Sequence, residues 1–256
     1  MDELQLKLLK MIDIPIKKKK VKHRLPNKLL PLPNADKKFH EKWYKGRNLL
    51  NFPHPWRGVF LGPPNCSKTT TIKNIILRAK PAFEEIYCIH CDGEYTKEWK
   101  DCDVEMLKDI PAPEEWCGEV KTLVILDDIE YKGMNKDQRA NLDRLFGFVS
   151  THKNISVALT SQDPFNVPPI VRRCANLWVL WPLTDIDAMA MTARKTGLKT
   201  DNFRSIFNQL MEGKRDGLWL DLTDGSPYPQ RKNGYQIISK CENSIKEEKE
   251  DQYGHT

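Results

Sequence analysis

Gly62-Pro63-Pro64-Asn65-Cys66-Ser67-Lys68-Thr69-Thr70 follows the apolar run Gly58-Val59-Phe60-Leu61 and precedes a helix-like stretch from Thr70 to Ala79. A strand, a glycine-opened loop, a Lys-Thr pair and a helix in that order make the pattern G-x-x-x-x-G-K-[ST]. Its backbone N–H groups curl around the β- and γ-phosphates of a nucleotide, its lysine contacts them, and its hydroxyl faces Mg²⁺. Lys68 takes the lysine role and Thr69 the metal role. Gly62, Pro63, Pro64, Asn65, Cys66, Ser67, Lys68, Thr69 and Thr70 are all candidate nucleotide contacts. Ser67 stands where the pattern has its second glycine, and its Cβ crowds the backbone where it approaches phosphate. An ordinary strand-to-helix turn is the alternative. The flanking strand and helix favour the phosphate loop, and the helix N-terminus adds partial positive charge. Cys66, inside this loop, is expected to be sensitive to alkylation.

Working outward, Thr122-Leu123-Val124-Ile125-Leu126-Asp127-Asp128 is a continuous apolar run ending in two acids. It reads as a parallel strand covered on both faces, its carboxyl end at the ligand crevice. Asp127 is the candidate for Mg²⁺, through water, and Asp128 for polarising the attacking water. The bland alternative is that both cap the next turn. Ile155-Ser156-Val157-Ala158-Leu159-Thr160-Ser161-Gln162 is a second such run ending in hydroxyls and an amide. Gln162 is placed either against the γ-phosphate or lytic water, or simply on loop amides. Phosphoryl transfer also benefits from an arginine aimed at the γ-phosphate, often from a neighbouring subunit. Arg172 and Arg173, a short loop beyond Gln162, are the favoured pair and are expected near the same sheet edge. A solvated or DNA-phosphate-binding pair is the alternative. Arg139 and Arg144 are weaker candidates.

A chain of 256 residues with 39% hydrophobic content can fill one main α/β core. Its net charge of +6 is compatible with a polyanionic partner. No apolar run approaches the roughly 20 residues needed to cross a bilayer, and the N-terminus lacks a secretory leader, so a soluble, intracellular protein with no membrane partner is expected. Seven cysteines, an odd number, point to reduced thiols rather than disulfides. Cys88 and Cys91 could begin a zinc site with Cys102 and Cys117, but buried structural thiols are the better reading on a strand.

Residues 1–52 read as a basic extension: a short amphipathic pattern at Leu4, Leu8, Leu9 and Ile12, then Lys17 to Arg24, then Pro26, Pro31 and Pro33. The basic block is a nuclear import signal, a nucleic-acid arm or a solvated linker. Residues 53–182 alternate strand and helix and form the core. Residues 183–240 supply helices at Thr184 to Thr196 and Asp201 to Gly213, then a hairpin of Leu218 to Leu222 and Tyr235 to Ile238 with its turn at Asp224-Gly225, packed on the core. Residues 241–256 form a charged tail.

The ordered set Gly62 to Thr70, Ile86 to Asp92, Leu123 to Asp128, His152 to Ser156 and Ser161-Gln162-Asp163-Pro164-Phe165 resembles the poxvirus-type genome-packaging ATPases of the FtsK–HerA superfamily. The likeness runs from about Pro53 to Ile238. Ser67 departs from that family's usual glycine. The resemblance implies a P-loop NTPase of the additional-strand type, with the strand ending in Gln162 between those carrying the phosphate loop and the acids. It implies an ATPase using ATP and Mg²⁺, with Lys68, Asp128, Gln162, Arg172 and Arg173 in catalysis. It further implies a homo-oligomeric ring that drives double-stranded DNA into a capsid, with capsid proteins as partners. The place of action would lie in the host cell, at the nucleus or a viral assembly site, with the virion as a further destination. DNA contacts are expected from Lys132, Lys136, Arg139 and the N-terminal block. A helicase or replication-associated ATPase, and a non-hydrolysing nucleotide switch or scaffold, are the competing readings.

Overall fold

Three neighbouring strands divide their side chains between two cores, and that division sets the architecture. The computed structural model describes residues 50, 52–90, 97–183, 185–195, 200–223 and 226–239. Strand β1 (Arg57–Leu61) sends Val59 and Leu61 into one apolar cluster and Phe60 into another. The strands here called β4 (Thr122–Asp127) and β5 (Ile155–Ser161) do the same: Val124, Leu126, Val157 and Leu159 face one way, Leu123, Ile125 and Ala158 the other. Successive strand residues point to opposite faces, so a continuous apolar run requires cover on both. Helix α1 (Lys68–Arg78) covers one face with Ile72 and Ile75. The other face is covered by α2 (Lys136–Arg144), its π-helical continuation Leu145–Val149, α3 (Pro169–Cys174), α4 (Ile186–Lys195) and α5 (Thr200–Leu210). Each fully buried Leu, Ile, Val or Phe side chain contributes about 1.5–3 kcal/mol relative to exposure.

Strands β2 (Glu85–His90), β3 (Glu105–Leu107) and β6 (Leu177–Leu180) are also parallel to these. Three strands complete the sheet: β7 (Leu218–Asp221), β8 (Gln230–Lys232) and β9 (Gln236–Ser239). Among the described residues the order is β3-β2-β4-β5-β1-β6-β7-β8-β9. Strand β5 therefore lies between β1 and β4, which is the additional-strand arrangement of a P-loop NTPase, mostly parallel with helices on both faces. Leu61, Ser161 and Asp127 all end at the same side of the sheet. All described residues belong to the unit Ala35–Thr256.

The C-terminal hairpin departs from expectation. Strands β7, β8 and β9 pair antiparallel and continue the main sheet outward from β6, with β8 lying between the two strands read from the sequence. The tight turn is Asn233-Gly234, both at positive φ (56° and 81°), as the central pair of a type I′ turn requires, closed by the Tyr235 N–H donating to the Lys232 carbonyl at 3.3 Å. The reading of a turn at Asp224-Gly225 lies outside the described residues. So do the N-terminal pattern, the basic block and its prolines, Cys91, Asp92 and the charged tail. No helix among the described residues is long and apolar enough to cross a membrane.

His54 ties the entry to β1 onto β5. Its Nε2–H donates to the Asn154 carbonyl at 2.8 Å, while Nδ1 accepts from the Ser156 hydroxyl at 2.7 Å. Ser156 Oγ in turn accepts the Trp56 N–H at 3.1 Å. This chain of donors and acceptors uses a neutral ring, and burial, the largest cause, holds the His54 pKa below its usual value of 6.5. On acidification the unfolded chain takes up its proton first, so this contribution to stability is full above pH 6.5 and is lost as pH falls through that value toward the depressed folded one. We expect the urea midpoint to fall between pH 7.5 and 5.5, and to fall less in His54→Gln. Equal slopes in both proteins would contradict this.

Candidate functional site

The carboxyl ends of β1, β4 and β5 converge on a cavity of about 660 Å³, within the usual range for a small-ligand site. Gly62 leaves β1 with its N–H bonded to the Ser161 carbonyl at 3.1 Å. A Cβ there would lie 2.7 Å from the Trp181 Cβ and 2.8 Å from the Cys66 Sγ, so close packing admits only glycine. The loop then bends through Asn65 (φ 62°) and Ser67 (φ 88°), both left-handed. Ser67 thus occupies a conformation natural to glycine, at a cost on the order of 1–3 kcal/mol, which gives the sequence departure a backbone reason.

Lys68 opens α1 and is 8% exposed. Its ammonium donates to the carbonyls of Gly62 (2.9 Å) and Pro63 (3.2 Å), bracing the loop, and has a third proton for a phosphate oxygen. Ser67 makes no side-chain cap and the first turn of α1 carries no acid, so its leading N–H groups and their partial charge are directed to the cavity. Pro64, Asn65, Ser67, Lys68, Thr69 and Thr70 line the cavity. Gly62, Pro63 and Cys66 shape the loop from behind. Cys66 is 2% exposed and burial pushes its thiol pKa up, so it is a poor alkylation target, contrary to expectation.

Asp127 and Asp128 line the opposite wall. Thr160, on the intervening strand, organises both acids. Its hydroxyl donates to Asp127 Oδ1 at 2.7 Å and accepts the Asp128 N–H at 2.8 Å; Asp128 Oδ1, at 3.3 Å, is a weaker alternative for the same proton. Gln162 Nε2 donates to Asp128 Oδ2 at 2.9 Å. Asp128 sits at φ 46°, a left-handed turn that aims its carboxylate back into the cavity. Asp127 is 6% exposed. Burial raises its pKa; the Thr160 hydroxyl opposes the shift, the Asp128 charge adds to it, and His90 and Trp99 oppose it more weakly. A buried, crowded carboxylate of this kind is relieved by a cation.

Thr69 Oγ, Asp127 and Asp128 are hard oxygen donors, and these suit Mg²⁺. Among the described residues no group of three or more His, Cys, Asp or Glu forms a complete metal cage. Mg²⁺ is usually held by one or two carboxylates together with phosphate oxygens and waters. Of the proposed zinc ligands, Cys88 is fully buried with its thiol pKa raised by burial, and Cys117 is exposed.

Arg172 and Arg173 do not join the cavity in this chain. Helix α3 leads into β6 beside the start of β1, where the Asn176 N–H donates to the Arg57 carbonyl at 2.9 Å, at the end of the sheet opposite the loop. Arg172 Nη1 contacts Met191 Sδ at 3.2 Å, and Arg173 is exposed. Arg139 donates to the Lys132 carbonyl at 2.6 Å and lies over the Tyr131 ring, so it too is engaged elsewhere, and Arg144 is exposed. The arginine lining the cavity is Arg215, just before β7. Its carbonyl accepts the Trp181 indole N–H at 3.2 Å, and Trp181 also packs on Gly62, so one side chain links this loop to the phosphate loop. Sequence reasoning passed over Arg215 because no motif surrounds it. It passed over the Thr160 role because a hydroxyl at a strand end has no distinctive signal.

No protein-family model matches the chain, and no curated protein matches it. Among solved structures, the chain is similar to the genome packaging NTPase B204 from Sulfolobus turreted icosahedral virus 2 in complex with ATP-gammaS, at 13% identity and a TM-score of 0.48, covering 67% of this chain and 94% of that one. It is similar to B204, the DNA-packaging ATPase from Sulfolobus turreted icosahedral virus, at 15% identity and a TM-score of 0.48, covering 66% and 94%. It is also similar to the conjugation coupling protein TcpA of pCW3, at 13% identity and a TM-score of 0.49, covering 77% of this chain and 65% of that one.

Proposed function

We propose that the chain is an ATP-hydrolysing motor that moves double-stranded DNA, acting in a ring of identical subunits to fill a viral capsid within the host cell. The observation that carries the hydrolytic part is the convergence of Lys68, Thr69, Asp127, Asp128 and Gln162 on one cavity at the sheet's carboxyl edge. The DNA, ring and capsid parts rest on the sequence resemblance and the positive net charge.

Lys68 and the leading N–H groups of α1 hold the β- and γ-phosphates, so positioning and charge stabilisation dominate the chemistry. Mg²⁺, held by Thr69 and Asp127, would neutralise charge developing on the phosphate oxygens. Asp128 accepts a proton from the attacking water, and Gln162 fixes which carboxylate oxygen is free to do so. Arg215 supplies the in-chain guanidinium, whereas Arg172 and Arg173 would reach a phosphate only when presented by a second copy. Lys132 and Lys136 are exposed on the connection leaving Asp128, a short path between a DNA backbone and the hydrolytic acids.

Phosphate release measured with and without duplex DNA at two salt concentrations tests the DNA reading. We expect duplex stimulation of several-fold that falls steeply with salt and is lost in Lys132→Ala/Lys136→Ala, with no unwinding of a forked duplex. Absence of stimulation would contradict DNA translocation, and strong unwinding would favour the helicase reading.

A further inference from the structure

Glu98 enters the cavity from outside the phosphate loop and the acidic strand. It lies on the 3₁₀ turn Lys97–Cys102, which is anchored by Trp99 (2% exposed) in the core beneath α1. The Thr69 hydroxyl donates to Glu98 Oε2 at 3.0 Å, and Glu98 lines the same cavity as Asp127 and Asp128.

A hydroxyl has one proton and two lone pairs, so it ligates a cation only if its proton is directed elsewhere. The motif acids accept from other donors, Asp127 Oδ1 from Thr160 and Asp128 Oδ2 from Gln162. Glu98 is the carboxylate that takes the Thr69 proton. We infer that Glu98 is a positioning residue for the metal: it accepts the Thr69 hydroxyl proton and thereby turns the Thr69 lone pairs into the cavity. Partners that orient a metal ligand in this way typically change metal affinity by about 10–100-fold when removed. The inference rests on the proposed Mg²⁺–nucleotide reading of the cavity.

The test is equilibrium binding of a fluorescent mant-ATP across a Mg²⁺ titration and in EDTA, for the full chain and its Glu98→Ala, Glu98→Gln and Thr69→Val variants. We expect Glu98→Ala to raise the Mg²⁺ concentration for half-maximal binding about 10–100-fold, with the affinity in EDTA unchanged within about twofold. Glu98→Gln, whose amide oxygen still accepts the proton, should lie close to wild type. Adding Glu98→Ala to Thr69→Val should produce no further shift, because the two act through one hydrogen bond. An unchanged Mg²⁺ dependence in Glu98→Ala, tighter Mg²⁺ dependence, or an equal loss in EDTA overturns the role of Glu98 while leaving the nucleotide site standing. Wild type that binds no mant-ATP under any condition overturns both.

Discussion

Replacing Asp128 by Asn should lower kcat for ATP hydrolysis by about 10²–10³-fold while leaving nucleotide affinity within about threefold. Asn keeps the size of the side chain and removes its basicity. It is also among the residues that tolerate a left-handed backbone, so φ 46° adds no new strain. Its carbonyl oxygen can still accept from Gln162 Nε2. The loss should therefore fall on the chemical step and appear in kcat and kcat/KM together, the mark of an interaction made in the transition state. A bulky or β-branched substitution would confound this result with backbone strain. Turnover in Asp128→Asn within a few-fold of wild type would remove Asp128 from the role of base.

The largest stability effect is expected far from the cavity. Arg231 on β8 and Asp221 on β7 form an ion pair at 3.4 Å, with side chains 1% and 0% exposed. Asp221 also accepts the Ser226 hydroxyl at 3.0 Å and the Thr223 N–H at 3.1 Å, and the guanidinium lies over Phe52 and Trp219. Burial raises the Asp221 pKa and lowers that of Arg231; each charge opposes the shift of the other. Asp221→Ala removes the buried counter-charge of the guanidinium and should destabilise the protein by about 3–5 kcal/mol, read from denaturant midpoints. Replacing both residues with Leu and Met should recover most of that loss. A single mutant within about 1 kcal/mol of wild type would show that water reaches the pair.

Elements whose side chains announce their surroundings were legible. Strands β1, β4 and β5 are apolar on both faces and end in loop, acid or amide residues, so their place inside the sheet and the edge they share could be read directly. The position of β5 between β1 and β4 came from family resemblance, since spacing alone does not order parallel strands. Strand β8 was missed because its inward residue is Arg231, whose burial depends on Asp221 ten positions earlier. Strand β3 has three residues and pairs only with β2 in the described sheet, too short for a period. In the cavity, local motifs identified Lys68, Thr69, Asp127, Asp128 and Gln162. Thr160, Glu98 and Arg215 reach it through tertiary placement. Arg172 and Arg173 lie away from this chain's cavity for the converse reason: they are near Gln162 in sequence, but α3 carries them to the far end of the sheet.

The central claim is that the bent main chain around Lys68 grips a nucleoside triphosphate. Its most direct test is the equilibrium affinity of wild type and Lys68→Ala for Mg²⁺–ATPγS, with circular dichroism confirming that both are folded. We expect saturable binding in wild type, weakened by at least about 50-fold in Lys68→Ala, because a charge-assisted contact worth about 2–3 kcal/mol is removed from the phosphates. Equal affinities in the two proteins, or no binding in either, would contradict it.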